Sequence, residues 1–516
     1  MSFDQRTLSR HLQSLSSHLA ESGKVDQIFG VAGDPITPLI PFCESRGINF
    51  FAFRNEQAAS YAASIVSFLT CRESVGVCLT VAGPGFTNSL TGLANACKNE
   101  WPMLLICPLV TSEGEFQACD QTAVLSSTVC RGFFLYNESV NSVNSAIQLA
   151  LDQSGPVVLF VSVDRNIFKP QVRRNLKISH PPLTAVDASL FARPIIVVGS
   201  MTPMYPQISA DIRAVVEEFK IPFFADPMGR GVIPESHELC VSASKNSATS
   251  SCSLAIIVCG KLDWMLHHGK PPKWSKNCTF VFVQPGDNVR AILPKNIHID
   301  SQWLESLMNV ASQKKLDLGR RLEVKINRLP SHWQAIGAVK RVLFQHNLLE
   351  SIIVSEGANT MDVCRVALDD ISVPRKRLDA GRWGTMGAGL GFVVAACSLK
   401  SNKVVIAVEG DSALGFSGFE LETIARYKCR CVIIVFNNGG IYTGICENAT
   451  AFGSVCHAQL MEAVGGFGIT SRSDPSNPEF FLDRAINMVN QGKFPVLVDL
   501  IIDPTSGTVS GSLSKM

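Results

Sequence analysis

Short apolar runs alternate with segments of helical periodicity along most of the chain. Between the apolar runs of the first part, residues 55–69 and 85–99 have the apolar spacing of amphipathic helices. Near-continuous apolar strands that alternate with helices indicate a parallel sheet covered on both faces. The strands predicted in this part are 27–33, 48–53, 75–81, 103–110 and 156–163.

The same alternation recurs twice more along the chain. The polar stretch 169–187 predicts a linker, and the charged segment 310–330 predicts a helix that leads into the third part. We therefore predict an α/β protein of three doubly wound parallel-sheet domains, at 1–168, 188–310 and 330–516. The later strands are predicted at 194–200, 221–227, 254–262, 279–284, 351–358, 404–410, 431–438 and 495–502.

Composition narrows the class of protein. The 516 residues are 46% hydrophobic with a formal net charge of +2, which gives no electrostatic reason to expect nucleic acid or an anionic membrane as a partner. No apolar run reaches the roughly 18 residues of a membrane span, and the polar N-terminus does not resemble a secretory signal. The 17 cysteines include no C-x-x-C pair, and many lie in apolar runs, so we expect reduced thiols in a reducing compartment.

Two neighbouring predicted strands end in polar residues. One ends at Gly410 and is followed by Asp411; the next ends in Asn437 and Asn438, followed by two glycines. The carboxyl ends of parallel strands share one sheet edge, where α/β proteins bind ligands. A carboxylate, an amide oxygen and a backbone carbonyl form a hard oxygen set that suits Mg²⁺ and leaves positions for phosphate oxygens. The hypothesis is a metal and diphosphate site.

The segment between these strand ends is predicted to be one helix, with Ser417 and Glu420 as a capping box. The small residues Ser412 and Ala413 would let backbone N–H groups approach a phosphate near the helix start. The alternative interpretation is a plain helix cap at Asp411 and a plain turn after Asn437.

The chain has Gly-Asp, then 25 residues, then Asn-Asn. This pattern resembles the thiamine-diphosphate motif of the pyruvate-decarboxylase-like superfamily. The family usually has a third glycine where this chain has Ser412. The form GDSA-GFSG-E-ETI-RY is similar to one branch, the 2-hydroxyacyl-CoA lyases and oxalyl-CoA decarboxylases. The resemblance implies pyrimidine-binding, middle and diphosphate-binding domains. It also assigns Asp411, Asn438 and the Gly440 carbonyl to Mg²⁺, and Ser412 and Ala413 to the diphosphate.

The segment RNEQAASYAA resembles the catalytic-glutamate segment of the superfamily, which makes Glu56 the residue that bonds the cofactor's aminopyrimidine in a dry pocket. A glutamate favoured by the helix dipole is the alternative. The following glycine-rich turn, 83–85, also matches, and Asn88 is a weaker candidate contact. In the superfamily the glutamate and the metal-binding aspartate come from different subunits, so a homodimer or homotetramer is implied.

The glycine run in 378–392 has two interpretations, a dinucleotide site or tight helix–sheet packing. A nicotinamide-dependent dehydrogenase would use the first. The resemblance instead implies that Met386 holds the cofactor in its bent form, with Thr385 and Gly387 at its ring.

Weaker candidates lie elsewhere. Asn359 borders the active site in the lyase branch. His267 and His268 are interpreted as structural or surface residues rather than metal ligands. The segments 226–240 and 262–274 resemble the acyl-CoA lyase branch. At the end, Ser514, Lys515 and Met516 approximate a peroxisomal address, which predicts a peroxisomal protein that meets the import receptor, or otherwise a cytoplasmic one.

The resemblance implies a thiamine-diphosphate- and Mg²⁺-dependent lyase. It would split a 2-hydroxyacyl-CoA into formyl-CoA and an aldehyde one carbon shorter, as in fatty acid alpha-oxidation. Oxalyl-CoA decarboxylation is the near alternative. A non-catalytic cofactor-binding homologue is the alternative of another class, because 444–460 and the segment with Phe116 and Gln117 depart from the family pattern.

Overall fold

The computed structural model describes residues 5–110, 114–136, 138–162, 186–294, 297–368, 371–399, 403–443, 450–453 and 455–507. Within these ranges the strands form three sheets of six, four and six strands, and every strand pairing is parallel. The predicted fold class is therefore confirmed. Most of the predicted linker, part of 444–460 and the address at 514–516 lie outside the described residues, so the peroxisomal assignment stays a prediction.

The first sheet is built from residues 27–162. Its strands are β1 (Gln27–Gly30), β2 (Asn49–Ala52), β3 (Gly76–Leu79), β4 (Met103–Leu109), β5 (Gly132–Tyr136) and β6 (Pro156–Ser162). The helices along this part are α1 (Gln5–Glu21), α2 (Leu39–Glu44), α3 (Glu56–Leu69), α4 (Pro84–Asn99) and α5 (Val140–Gln153). The strand order is β2-β1-β3-β4-β6-β5. One core cluster packs α1, α2 and α5 against the apolar side chains of these strands.

The middle sheet has the order β10-β9-β7-β8. Its strands are β7 (Pro194–Val198), β8 (Phe223–Ala225), β9 (Leu254–Val258) and β10 (Thr279–Val283). The helices are α6 (Pro206–Phe219), α7 (Lys245–Ser251) and α8 (Ser301–Leu322). Two core clusters lie on its two faces, since alternate residues of β7 and β9 belong to different clusters.

The third sheet has the order β12-β11-β13-β14-β16-β15. Its strands are β11 (Ile353–Glu356), β12 (Arg377–Leu378), β13 (Val405–Gly410), β14 (Cys431–Asn437), β15 (Phe467–Thr470) and β16 (Val496–Ile501). The helices along this part are α9 (His332–Gln345), α10 (Ala358–Ala367), α11 (Gly389–Ser398), α12 (Asp411–Ser417), α13 (Glu420–Arg426), α14 (His457–Ala463) and α15 (Pro478–Asn490). One core cluster packs α9, α10 and α15 on this sheet.

Short 3-10 turns connect these elements at Ala188–Ala192, Thr202–Met204, Pro227–Gly229, Ser242–Ser244, Trp264–Gly269, Val289–Ile292 and Pro504–Ser506. Among the described residues, no helix combines the length and the apolar character that crossing a membrane requires. Every cysteine that the structure describes is a free thiol.

The chain forms two compact units. The first unit contains Met1–Ser179 together with Arg382–Asn402 and Gly415–Cys429, and the second contains the remaining ranges, His180–Gly381, Lys403–Leu414 and Arg430–Met516. The first unit is thus discontinuous in sequence. Within it α11 packs against α3, and a Cβ built on Gly391 would lie 2.7 Å from the carbonyl oxygen of Ala58. The helix-packing interpretation of this glycine is the one that the geometry favours.

The structure differs from the sequence prediction at several elements. Strands β5, β12 and β15 were not predicted, and all three are edge strands. The charged helix α8 begins at Ser301 and ends at Leu322, so it starts earlier and ends sooner than 310–330. The segment between Gly410 and Cys431 forms two helices rather than one, because α12 ends at Ser417 and α13 begins at Glu420.

Candidate cofactor site

Strands β11, β13 and β14 of the second unit end at one edge of the third sheet. They are parallel neighbours in register, with Glu356 opposite Glu409 and Gly410 opposite Phe436. Asp411 and Asn438 each come directly after the last residue of their strands. The structure therefore brings these two residues to the same sheet edge, as the parallel arrangement predicts.

The Asp411 side chain clamps the turn that follows β14. Its Oδ2 atom accepts the N–H of Gly439 at 2.8 Å and the N–H of Gly440 at 3.0 Å, and its Oδ1 atom accepts the N–H of Ser412 at 2.7 Å. Burial raises the pKa of Asp411, while these backbone N–H groups favour its charged form. These contacts hold the buried carboxylate in a fixed position at the sheet edge.

The side chains beside Asp411 are held by local contacts. Asn438 Nδ2 donates to the carbonyl oxygen of Tyr442 at 2.7 Å, which fixes the orientation of the amide. Asn359 is buried at the start of α10, and a Cβ on Gly507 would lie 2.9 Å from its Nδ2 and 2.5 Å from the Tyr442 oxygen. Asn359 and the Tyr442 carbonyl therefore both lie beside Gly507. Ala413 is buried, and Ser412 is half-buried.

Three buried polar side chains lie behind this turn, and the sequence pattern indicates only Asn437 among them. Asn437 Nδ2 lies 2.9 Å from Asp499 Oδ1 and 3.3 Å from His457 Nδ1, and the His457 and Asp499 atoms are 3.1 Å apart. All three residues are at most 7% exposed. The group holds Asn437 in place and so supports the neighbouring Asn438. Asp499 is the one charged residue in the apolar segment 495–502, and this feature of the sequence could have marked it as a site residue.

Two buried carboxyl groups also face each other close to Asp411, and one of them lies two residues before it in the sequence. Glu356 and Glu409 face each other on β11 and β13 and are 2% and 0% exposed. Burial, reinforced by the neighbouring Glu356 carboxyl, raises the pKa of Glu409 well above its ordinary value. A proton shared between the two carboxyl groups is therefore favoured.

Glu56 is the first residue of α3, in the first unit. Asn55 caps the helix by accepting the N–H of Gln57 at 2.8 Å. Glu56 is half-buried in the single chain, and its Oε2 accepts from Asn88 Nδ2 at 3.0 Å. A Cβ on Gly85 would lie 3.3 Å from Glu56 Oε1, so the glycine-rich turn passes close to the carboxylate. The structure thus brings Glu56, Gly85 and Asn88 together.

The segment with Phe116 and Gln117 lies over the same turn. Gln117 has a φ of +62°, and a Cβ on Gly83 would come within 2.7 Å of its carbonyl oxygen. Only glycine leaves room for this approach. The Phe116 side chain is 81% exposed, so in the single chain it has little packing.

Thr385, Met386 and Gly387 also belong to the first unit. The hydroxyl groups of Thr385 and Tyr61 are 2.6 Å apart, and the Tyr61 hydroxyl lies 3.5 Å from the Met386 carbonyl oxygen. Gly387 has a φ of +87° and packs on Phe416, while Met386 is half-buried. This geometry ties the turn before α11 to α3.

The predicted capping box at Ser417 and Glu420 is wrong. The Glu420 carboxylate instead accepts the backbone N–H groups of Arg54, at 3.2 Å, and Asn55, at 3.1 Å, and the Thr423 hydroxyl, at 2.6 Å. Burial raises the pKa of Glu420, and these three donors oppose that rise. Because Arg54 and Asn55 precede Glu56, this contact fixes the start of α3.

The two histidines of the middle part lie next to each other in one turn. His267 and His268 both have left-handed φ values in the turn after Trp264, and no group of three or more His, Cys, Asp or Glu suited to a metal occurs among the described residues. A metal at the third sheet would therefore have Asp411 as its main carboxylate. Asp411, the Asn438 amide and the Gly440 carbonyl are hard oxygen donors of the kind that Mg²⁺ takes when phosphate oxygens complete its shell. This donor chemistry fits the predicted metal and diphosphate.

Three family models match the chain. They are the thiamine pyrophosphate enzyme N-terminal TPP binding domain at residues 12–124, the central domain at 190–305 and the C-terminal TPP binding domain at 356–500. The first match contains Glu56, and the last contains Asp411 and Asn438.

The chain is also similar to curated proteins over most of its length. A 2-hydroxyacyl-CoA lyase of Arabidopsis thaliana is 32% identical and is covered over 96% of both chains. An oxalyl-CoA decarboxylase of Escherichia coli strain K12 is 30% identical, over 96% of this chain and 95% of that one. The 2-hydroxyacyl-CoA lyase 1 of Homo sapiens is 31% identical, over 93% of this chain and 92% of that one.

Proposed function

The chain belongs to the thiamine pyrophosphate enzyme family, and from that premise we propose that it is a carbon–carbon lyase that splits 2-hydroxyacyl-CoA into formyl-CoA and an aldehyde one carbon shorter. Both the plant and the human relatives named above carry the name 2-hydroxyacyl-CoA lyase. The observation that carries the proposal is the Asp411 clamp on the turn of Asn438 and Gly440, combined with this full-length similarity.

The residues at the third sheet would hold the diphosphate end of the cofactor. Asp411 and Asn438, with the Gly440 carbonyl, would bind Mg²⁺, and Ser412 and Ala413 would face the diphosphate. Because the Asp411 carboxylate is already fixed by three backbone N–H groups, it would need little rearrangement to bind the ion. Magnesium is proposed here from the chemistry of this oxygen set.

The residues of the first unit would act on the heterocyclic end. Thiamine diphosphate, when bound, supplies the carbon nucleophile and takes up the electrons of the broken bond. Glu56 would hold a proton at the ring nitrogen of the pyrimidine, with its carboxylate oriented by Asn88. Met386 would support the bent cofactor, with Thr385 and Gly387 at its ring. We propose that a second copy of the chain completes the site and excludes water from the half-exposed Glu56.

Oxalyl-CoA decarboxylation is the second candidate, because the bacterial relative with that name is similar over nearly the same length. Both reactions release formyl-CoA. They differ in the other product, which is an aldehyde for the lyase and carbon dioxide for the decarboxylase.

The experiment is a product assay on the purified full-length protein with thiamine diphosphate and Mg²⁺. We expect an aldehyde and formyl-CoA from 2-hydroxyacyl-CoA substrates tested over a series of chain lengths. Carbon dioxide and formyl-CoA from oxalyl-CoA, without aldehyde from any 2-hydroxyacyl-CoA, would replace the lyase by the decarboxylase. Thermal stabilisation by the cofactor with no product from either substrate would identify a non-catalytic homologue instead.

A further inference from the structure

Two cysteine thiols are in contact in the middle sheet, far in sequence from every residue of the cofactor site. The Sγ atoms of Cys252 and Cys278 are 3.4 Å apart, with Cys252 donating its proton to Cys278. Cys252 directly follows α7 and is 1% exposed, whereas Cys278 directly precedes β10 and is half-buried. One thiol of the pair is therefore reachable from solvent and the other is enclosed.

The strand pairing places the two backbones at a distance that a disulfide can span. Leu254 of β9 lies opposite Thr279 of β10, and the Thr279 N–H donates to the Ser253 carbonyl at 2.9 Å. Cys278 thus lies one residue before Thr279 of this pair, and Cys252 lies two residues before Leu254. From strand spacing and rise, this offset separates their Cα atoms by about 6 Å, within the usual range for disulfides.

The contact also gives the two thiols different reactivity. The proton donated by Cys252 lowers the pKa of Cys278, although burial opposes this effect. The same hydrogen bond and burial raise the pKa of Cys252. The thiolate is the attacking form of cysteine, so Cys278 is the thiol suited to react first.

We propose that Cys278 and Cys252 form a reversible thiol–disulfide site that reacts with low-molecular-weight disulfides, with Cys278 as the attacking thiol and Cys252 as the resolving thiol. In the first step Cys278 loses its proton to solvent and its sulfur attacks one sulfur of the small disulfide, whose S–S bond breaks and releases one thiolate that then takes up a proton. In the second step the Cys252 sulfur attacks the Cys278 sulfur, the bond from Cys278 to the small thiol breaks, and the departing thiolate takes up the Cys252 proton. Two protein thiols are oxidised by two electrons, and the small disulfide is reduced to two thiols.

The product would fasten the start of β10 to the end of α7. Because β10 is an edge strand, with one neighbour in the sheet, the disulfide would restrain an element that is otherwise paired along one side. The site is independent of the proposed lyase reaction, so neither proposal depends on the other.

The experiment exposes the full-length protein to mixtures of oxidised and reduced glutathione, blocks the remaining thiols by alkylation and maps the peptides by mass spectrometry. We expect a Cys252–Cys278 disulfide that excess reductant reverses. In Cys252→Ser, or Cys252→Ala if the serine variant does not fold, the reaction should stop at a glutathione adduct on Cys278. In Cys278→Ser, Cys252 should lose its reactivity because it is enclosed.

The matched control is Cys119→Ser. Cys119 is half-buried like Cys278, but burial raises its pKa, so this variant should form the Cys252–Cys278 disulfide as the unmodified protein does. The proposal is overturned if Cys252 and Cys278 are both still free thiols after treatment with oxidising mixtures, so that both are found alkylated. It is also overturned if the Cys252 variants gain no adduct, or if Cys252 reacts equally well in Cys278→Ser.

Discussion

Glu56 shows how much a single residue depends on its immediate neighbours. The Asn55 cap starts the helix, Glu420 binds the two N–H groups before it, and Asn88 orients the carboxylate. All four contacts lie in the first unit, so the orientation of Glu56 is set before any cofactor binds. In the proposed reaction this residue exchanges a proton with the cofactor, and its charge rather than its size matters.

Replacing Glu56 by Gln should keep the fold and abolish most of the turnover. The amide has the same shape but cannot hold the shared proton, and general acid–base groups typically contribute about 10²–10⁴-fold to rates. The check is aldehyde release at saturating cofactor, with a thermal melt to confirm folding. Glu44→Gln, an exposed glutamate at the end of α2, is the matched control. Unchanged turnover in Glu56→Gln would contradict the assigned role.

His332 supplies a pH-dependent contribution to stability. It is 4% exposed at the start of α9, and its Nδ1 lies 2.9 Å from the Ser506 hydroxyl. Burial lowers its pKa from 6.5 to about 4, with nearby Asp503 opposing the shift. As the pH falls from 6.5 to 4, His332 binds a proton in the unfolded chain but not in the folded protein. The stability from this residue is therefore present above pH 6.5 and lost towards pH 4.

His332→Asn should remove this acid sensitivity. The stability difference between the unmodified protein and the variant should shift by roughly 3 kcal/mol between pH 6.5 and 4, with the unmodified protein losing more. Denaturant unfolding at several pH values measures it, and His268→Asn, at an exposed histidine, is the control. Parallel curves for the His332 variant and the unmodified protein would refute the explanation.

The sequence predicts a site residue when its position follows from strand geometry. Asp411 and Asn438 share an edge because their strands are parallel, which the apolar runs already indicate. The contacts of Asn437 with His457 and Asp499 could not be predicted in this way, because these residues come from separate elements that only the folded sheet brings together. Glu420 was assigned a local cap because its contact with Arg54 is distant in sequence.

Among the elements, continuous burial made the central strands of the third sheet predictable. The central strands β13 and β14 are buried at every position and read as continuous apolar runs. The unpredicted β15 is buried only at Ile469 among its four positions, and β12 has only two residues. Edge strands have one neighbour and need fewer apolar side chains, so their signal is weak. Helix α8 was misplaced because its first turns are less charged than its end.

Two glycine-to-alanine changes should have opposite effects on helix stability. In Gly391→Ala, the Cβ would lie 2.7 Å from the Ala58 carbonyl oxygen, so α11 must move away from α3. We expect a loss of about 1–3 kcal/mol. In Gly319→Ala, on α8, the new Cβ would meet nothing within 4 Å, and helix propensity should add up to about 1 kcal/mol.

Denaturant unfolding of the two variants side by side provides the measurement. Each variant is the control for the other, since both add one methyl group to a helix. Equal effects would show that the close approach of α11 to α3 does not limit the packing.

For the whole molecule, the proposed shared site predicts complementation between two inactive variants. A hybrid dimer of a Glu56→Gln chain and an Asp411→Asn chain would contain one site with both residues intact and one with neither. Purified through two different tags, the hybrid should therefore recover roughly half of the normal activity per dimer. Each variant alone is the control. A hybrid as inactive as its parents would show that Glu56 and Asp411 act within one chain.

The sequence discontinuity of the first unit also affects how the protein is made. Met1–Ser179 are translated before the other two ranges of the unit, and α11, at Gly389–Ser398, follows about 210 residues after Ser179. At about 5–20 residues per second, this delay is roughly 10 to 40 s, during which the face of α3 that later receives α11 stays uncovered. The nascent chain therefore carries one uncovered apolar helix face during this interval, and transiently exposed apolar surface of this kind is what chaperones protect from aggregation.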